Sequence, residues 1–250
     1  MITEKEIKHL LYEDEDGDVI GLDEVQLLEP IPTKRVSLLR ELLNGKDLYV
    51  AYQAALILAA WNDEEGLKTI DGFIDNKIHM TMEVSPHRLY GYDNVYDEIA
   101  WALYLSIDDD ENPSEYVLNL IKKILRLYGP CDFEGSLKLC LLDINCSDLL
   151  SDIYKALERA LDLNKEYLAS QLLPILAKWN HVKRWELITS FLAFKRQTPD
   201  PAHNIAEALG YINTIESKNI LSDLSKHPEM TVVEEARKSL DGLEPFQEGA

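Results

Sequence analysis

Cysteine is scarce in this chain: three residues, Cys131, Cys140 and Cys146, in 250. The number is odd and no two stand in a Cys-x-x-Cys pair. That argues against a disulfide framework and for three free thiols, buried as small apolar side chains in a reducing, cytoplasmic setting. Long apolar runs are missing as well. None approaches the roughly 18 residues that a membrane-spanning helix needs. The opening MITEKEIKHLL is charged throughout, where a signal peptide would carry an uninterrupted apolar stretch. No period-two pattern of the kind a half-buried strand requires stands out.

Motifs for familiar chemistry are also absent. There is no Gly-x-Ser-x-Gly elbow and no glycine-rich phosphate loop. None of the six histidines, His9, His79, His87, His181, His203 and His227, stands in a metal-binding spacing such as His-Glu-x-x-His. No nucleophile-plus-base arrangement is visible along the chain. The expectation is a protein that is not an enzyme, with no catalytic residues, no bound metal and no cofactor.

Positive charge is in short supply. Lys and Arg number 25 against 45 Asp and Glu, a net charge of −20. The deficit is uneven: residues 1–111 carry 25 acids and 9 Lys/Arg, a charge of −16, and the rest carry 20 acids and 16 bases, a charge of −4. Such a field repels phosphate backbones, so nucleic acid is disfavoured as a partner. It attracts a basic protein and speeds the encounter. The bland alternative is acidity for solubility alone, which a uniform excess would suit better.

What the chain does have is helical periodicity. Apolar residues recur at three- and four-residue steps in VSLLRELL, YVAYQAALILAAW, EIAWALYL, YVLNLIKKILRLY, IYKALERAL, YLASQLLPILAKW and VEEARKSL. The pattern predicts all-α structure with about a dozen helices, over 3–11, 33–44, 47–61, 63–74, 93–107, 113–128, 132–142, 147–162, 165–178, 181–196, 201–212, 216–226 and 231–241. Start signals agree. Asn62-Asp63-Glu64-Glu65 and Thr231-Val232-Val233-Glu234 read as capping boxes, and Asn112-Pro113-Ser114-Glu115 places a proline at the first helical position. Asp132, Ser147, Asn164, Asn180 and Asp200 are further candidate caps. Gly45, Gly129 and Gly242 mark helix ends.

An internal repeat suggests stacking. ILAAWNDEEGLKTI (57–70) aligns with ILAKWNHVKRWELI (175–188) at an offset of 118 residues, which three units of roughly 40 would fill. Trp61 and Trp179, at equivalent positions, read as packing residues at helix ends, and Trp101 and Trp185 as helix–helix contacts. On AALILAAWNDEEGLKTIDGFI and AEALGYINTIESKNILSDL, and on Pro174 inside the first helix of its pair, the chain resembles HEAT-like, armadillo-type repeat proteins. The resemblance implies an α-α superhelix of helical hairpins: one domain over 1–250, with a cap region 1–45, repeats over 46–241 and a tail 242–250.

Two segments stand outside the helical pattern. The loop 12–24, YEDEDGDVIGLDE, holds Glu13, Asp14, Glu15, Asp16 and Asp18. As a calcium loop with Gly17 at its sixth position it fails at both ends. Tyr12 falls where a carboxylate is required, and Asp23 where a bidentate Glu is. It therefore reads as the front of a negative surface. The second is the inserted loop 76–92, too long for a hairpin turn, followed by the start of the next helix. Arg88, Tyr90, Tyr92 and Tyr96 there are anchor-type interface residues, set among Asp93, Asp97 and Glu98. Asp93, Tyr96 and Asp97 would share one helix face. Asp108, Asp109, Asp110 and Glu111 add a run of four acids, more than a helix N-terminus needs. All of these are candidate partner-binding residues.

In character the chain is similar to the immunity proteins of contact-dependent growth inhibition and related toxin systems. That resemblance implies a cytoplasmic protein that neutralises a basic toxin domain by covering its active site. The alternatives are a scaffold or adaptor holding a peptide or helix in a concave groove, and a bilin-lyase-like HEAT protein, which would need a buried acid or histidine facing a large pocket.

Overall fold

The computed structural model describes residues 2–81, 88–89, 92–107, 112–145, 147–194 and 199–243, with 88–89 and 92–93 described in their backbone alone. The protein is all-α. Its helices are α1 (Glu4–Tyr12), α2 (Leu22–Gln26), α3 (Thr33–Leu43), α4 (Leu48–Ala60), α5 (Glu64–Asp75), α6 (Val95–Leu105), α7 (Glu115–Leu127) and α8 (Ser136–Asp143). They continue as α9 (Leu150–Asp162), α10 (Glu166–Ser170), α11 (Leu173–Lys178), α12 (Arg184–Phe191), α13 (Ala202–Leu209), α14 (Ile215–Leu224) and α15 (Met230–Gly242). Besides an isolated bridge between Glu13 and Val19, the described residues hold a short antiparallel ribbon at the end of the 76–92 insertion. It joins β1 (Arg88–Leu89) to β2 (Tyr92–Asp93), with Arg88 opposite Asp93.

The contacts gather into two compact units, residues 1–124 with 131–140, and residues 125–130 with 141–250. In the first, α4 is the hub, touching α1, α2, α3, α5 and α6. The reason is composition: every residue from Ala51 to Ala60 is buried, including Tyr52 and Gln53. A helix apolar all round must be enclosed. In the second unit α13 has that role, packed by α11, α12, α14 and α15, with Ile205, Ala206, Ala208 and Leu209 in the core.

The tryptophan repeat is a real local structure. In each copy the Asn after Trp adopts a left-handed conformation, Asn62 at φ 55 and Asn180 at φ 57. The next amide reaches back five residues, Asp63 N–H to Leu58 O and His181 N–H to Leu176 O, both at 2.9 Å. This closes the helix on its own carbonyls. Both indoles donate to the backbone: Trp61 to Gln26 O at 3.0 Å and Trp179 to Leu141 O at 3.3 Å. Eight residues past each Asn, Ile70 and Ile188 are fully buried. Asn62 is thus the terminator of α4, and Asp63, rather than Asn62, caps α5 by accepting from Glu65 and Gly66 N–H. Burial alone would raise the Asp63 pKa. The Arg40 guanidinium and the capped amides outweigh it and bring the group below its ordinary value. In the second copy His181 stands at the Asp63 position, and its Nδ1 accepts from Lys183 N–H at 3.3 Å. Burial and Lys183 both lower the His181 pKa, as an accepting neutral ring requires.

Other boundaries differ from the sequence reading for local reasons. Pro174 does not bend a continuous helix over 165–178. The helix breaks at Gln171 and Leu172, and the proline sits in the first turn of α11, where its missing N–H costs nothing. α7 begins after Pro113, with the Ser114 hydroxyl accepting from Val117 N–H. Thr231 forms no box, since α15 starts at Met230 without a side-chain cap. Among the described residues, boxes form at Thr3 with Glu6 and at Thr214 with Ser217.

Gly66 marks where α5 crosses α4. A Cβ there would lie 2.5 Å from Leu58 Cβ and 2.7 Å from Ala59 N. Gly66→Ala is therefore expected to lose about 1–3 kcal/mol in chemical denaturation, although alanine is the better helix former by about 1 kcal/mol.

Candidate acidic interface

The 12–24 segment folds as a small hairpin closed by the Glu13–Val19 bridge. Gly17, at φ 89, supplies the left-handed residue that returns the strand. Asp14 turns inward: its Oδ1 accepts from Asp16 N–H at 3.0 Å and Asp18 N–H at 2.9 Å. Glu13 accepts from Lys8 at 2.7 Å and faces His9 at 3.2 Å, and the lysine bond holds its carboxyl below the usual range. Arg35, which nothing in its local sequence singles out, pins the hairpin from below. Its side chain is 2% exposed, donates to Glu13 O at 2.8 Å and pairs with Glu15 at 2.9 Å. The tip leaves Glu15, Asp16 and Asp18 exposed.

Glu98 stands out among the carboxyls of the first unit. It lies on α6, half-buried, with Asn94 Nδ2 donating to its Oε1 at 3.1 Å. Burial raises its pKa, and the charges of Asp23, Asp97 and Glu134 raise it further, to about 7. The hairpin base is its neighbour. The Tyr12 hydroxyl donates to Gln53 Oε1 at 2.8 Å. Tyr49, one turn earlier on α4, has its phenol pushed up by burial, then by Tyr12 and by Glu98. Asp23 and Glu134 are exposed. The result is a surface of the first unit where carboxylates converge on one that is partly sealed from water. Near pH 7 such a group is partly protonated, and an incoming ammonium or guanidinium would favour its charged form, the proton leaving to water.

Two expected contact residues are corrected. Tyr96 is 1% exposed and its hydroxyl meets His79 Nδ1 at 2.6 Å, so it is core. Asp97 is 2% exposed and accepts from the amides of Gly135 and Ser136 at 3.1 Å and of Leu137 at 3.0 Å. It caps α8 from another helix. Asp132, the expected cap, lies four residues before α8 begins. Both side chains point inward because Val95, Tyr96, Ile99, Ala100 and Leu103 form the apolar stripe of α6. Asp93 belongs to β2 rather than to the helix. The side chains of Arg88, Tyr92 and Asp93, and all of Tyr90, Asp108, Asp109, Asp110 and Glu111, lie outside the described residues.

The reading of three buried thiols also needs correction. Cys140 is buried, but Cys131 is partly exposed, and its sulfur lies 3.8 Å from His79 Nε2. Fifty-two residues separate the two in sequence, and no spacing rule connects them. Cys146 lies outside the described residues. Among the described residues no three His, Cys, Asp or Glu side chains converge as a metal site would, and no helix is long and apolar enough to cross a membrane.

No family model matches the chain, and no curated protein matches it. Among solved structures, the crystal structure of an engineered protein from the Northeast Structural Genomics Consortium is similar at 18% identity and a TM-score of 0.40, over 83% of this chain and 97% of that one. A likeness of that size carries no argument about fold family or function.

Proposed function

We propose that this is a non-enzymatic binding protein whose first unit receives a basic protein on its acidic surface, and that it acts as an immunity protein in the cytoplasm by covering the cationic active site of a toxin domain. The observation that carries the reading is Glu98, half-buried among Asp23, Asp97 and Glu134 and raised to about pKa 7. Repulsion of this kind is relieved by a cation that reaches the cluster. A lysine or arginine from a partner supplies one, with the exposed Glu15, Asp16 and Asp18 steering its approach.

Against the lyase alternative, the cavity of about 500 Å³ in the first unit is lined by exposed acids, Glu4, Glu41 and Asp47, where a lyase site needs a buried one. In the second unit, the cavity that His227 and Asp200 line measures about 200 Å³. Small-molecule sites run upward from about 300 Å³.

The test is co-purification with the C-terminal domain of any large secreted protein found to be encoded beside this chain, that domain being expected to be basic. Capture is expected, and the combined variant Glu15→Gln, Asp16→Asn, Asp18→Asn, Glu98→Gln is expected to lose it. The association rate of the unmodified pair should fall at least tenfold between about 20 and 300 mM salt, because steering is screened over the Debye length. A rate indifferent to salt, or capture that survives the combined variant, would refute the acidic-surface reading.

A further inference from the structure

The contact between Cys131 and His79 has its own chemistry. His79 belongs to the short 3-10 turn Ile78–Met80, entered through Lys77 at φ 50. Its ring meets Tyr96 edge-on, with centroids 5.2 Å apart, and Nδ1 lies 2.6 Å from the Tyr96 hydroxyl. Nε2 lies 3.8 Å from Cys131 Sγ, within hydrogen-bond reach of a thiol. The neighbouring residue Asp97 pins the amides of Gly135, Ser136 and Leu137. α6 thereby fixes the ring through Tyr96 and, through Asp97, the segment that carries the thiol.

We propose that Cys131 is a reactive thiol, activated by His79, that forms mixed disulfides with low-molecular-weight disulfides. With the ring proton on Nδ1, donated to the Tyr96 oxygen, the Nε2 lone pair faces the thiol and accepts its proton. The resulting imidazolium has an acceptor at each nitrogen, the phenol oxygen at one and the thiolate at the other. The thiolate then attacks one sulfur of the disulfide. A new sulfur–sulfur bond forms, the old one breaks, and the departing thiolate takes the proton back from Nε2. Nothing is oxidised overall beyond the exchange of one disulfide for another. Cys140, fully buried, has no access to this reaction.

The probe is 5,5′-dithiobis(2-nitrobenzoic acid) on the full-length protein, with peptide mass spectrometry reading Cys131 separately from the other two thiols. The rate at Cys131 is expected to rise with a midpoint at least one pH unit below the ordinary thiol value of about 8.5. His79→Gln should return the midpoint to about 8.5, and Tyr96→Phe, which removes the hydroxyl oxygen that accepts from the ring, should move it part of the way. A wild-type midpoint at or above the ordinary value overturns the proposal. So does a low midpoint unchanged by both variants. If His79→Gln does not fold, the wild-type midpoint together with Tyr96→Phe gives the same decision.

Discussion

Glu98→Gln is expected to stabilise the protein at pH 8 by up to about 3 kcal/mol, and to flatten its stability between pH 5 and 8. The sign follows from the direction of the shift. Burial first, and then Asp23, Asp97 and Glu134, raise the Glu98 pKa from 4.5 to about 7. The folded state therefore holds this proton more tightly than the unfolded chain does. The protonated group is at no disadvantage below about pH 4.5. Stability is lost as pH rises toward 7, and above it the full cost of an unpaired, half-buried charge is present. A shift of about 2.5 units corresponds to roughly 3 kcal/mol. Glutamine keeps the shape, can still pair with Asn94, and carries no charge to repel. Urea denaturation of both proteins at pH 5, 6.5 and 8 measures it. Equal pH slopes in the two would show that Glu98 titrates normally. A residue that costs stability in the free protein fits a site held ready for a cationic side chain, since optimising such sites for folding commonly costs binding.

Asp97→Ala is expected to act in the opposite direction, with a loss of about 3–5 kcal/mol. Its carboxylate accepts three amides at the start of α8, and Leu137 N–H lies in the core. Removing the acceptor leaves those donors unpaired where water does not reach them well. Each orphan costs about 1–3 kcal/mol, and a charged acceptor is the stronger partner. Asp97→Asn should lose nearly as much. Oδ1 accepts from Leu137 and Oδ2 from Gly135 and Ser136, so an amide puts an N–H₂ group against N–H donors on one side. Hydrogen exchange should place the new weakness in residues 135–143. A melting temperature unchanged by Asp97→Ala would mean that the cap contributes nothing. The Asn variant carries a second expectation, a fall in the Glu98 pKa, because one of the charges that raises it is gone.

The two predictions concern adjacent residues of one helix, and the sequence treats them alike. Asp97 and Glu98 are two acids in a charge-rich stretch. Alternation along α6 turns one toward α8 and leaves the other half in water. Neither outcome was legible from residue type. A hint existed for Asp97: the segment Asp132 to Gly135 offers α8 no well-placed cap of its own, so its first amides need an acceptor from elsewhere. For Glu98, and for the meeting of Cys131 with His79, no local signal existed. Arg35 was equally silent, because an arginine that anchors a loop from 22 residues away looks like any helix-surface charge until the loop is folded over it.

Taken alone, the sequence determined the all-α class, the approximate place of most helices, and the Trp-Asn repeat 118 residues apart, whose role as a helix terminator the structure showed. Each of these depends on neighbours within a few positions, through side-chain period, capping and backbone preference. Tertiary structure decided which carboxylates face water, which one is sealed among its own kind, and which thiol meets an imidazole. Those outcomes depend on groups brought together from distant parts of the chain, and burial and charge proximity are properties of that arrangement rather than of any residue in it.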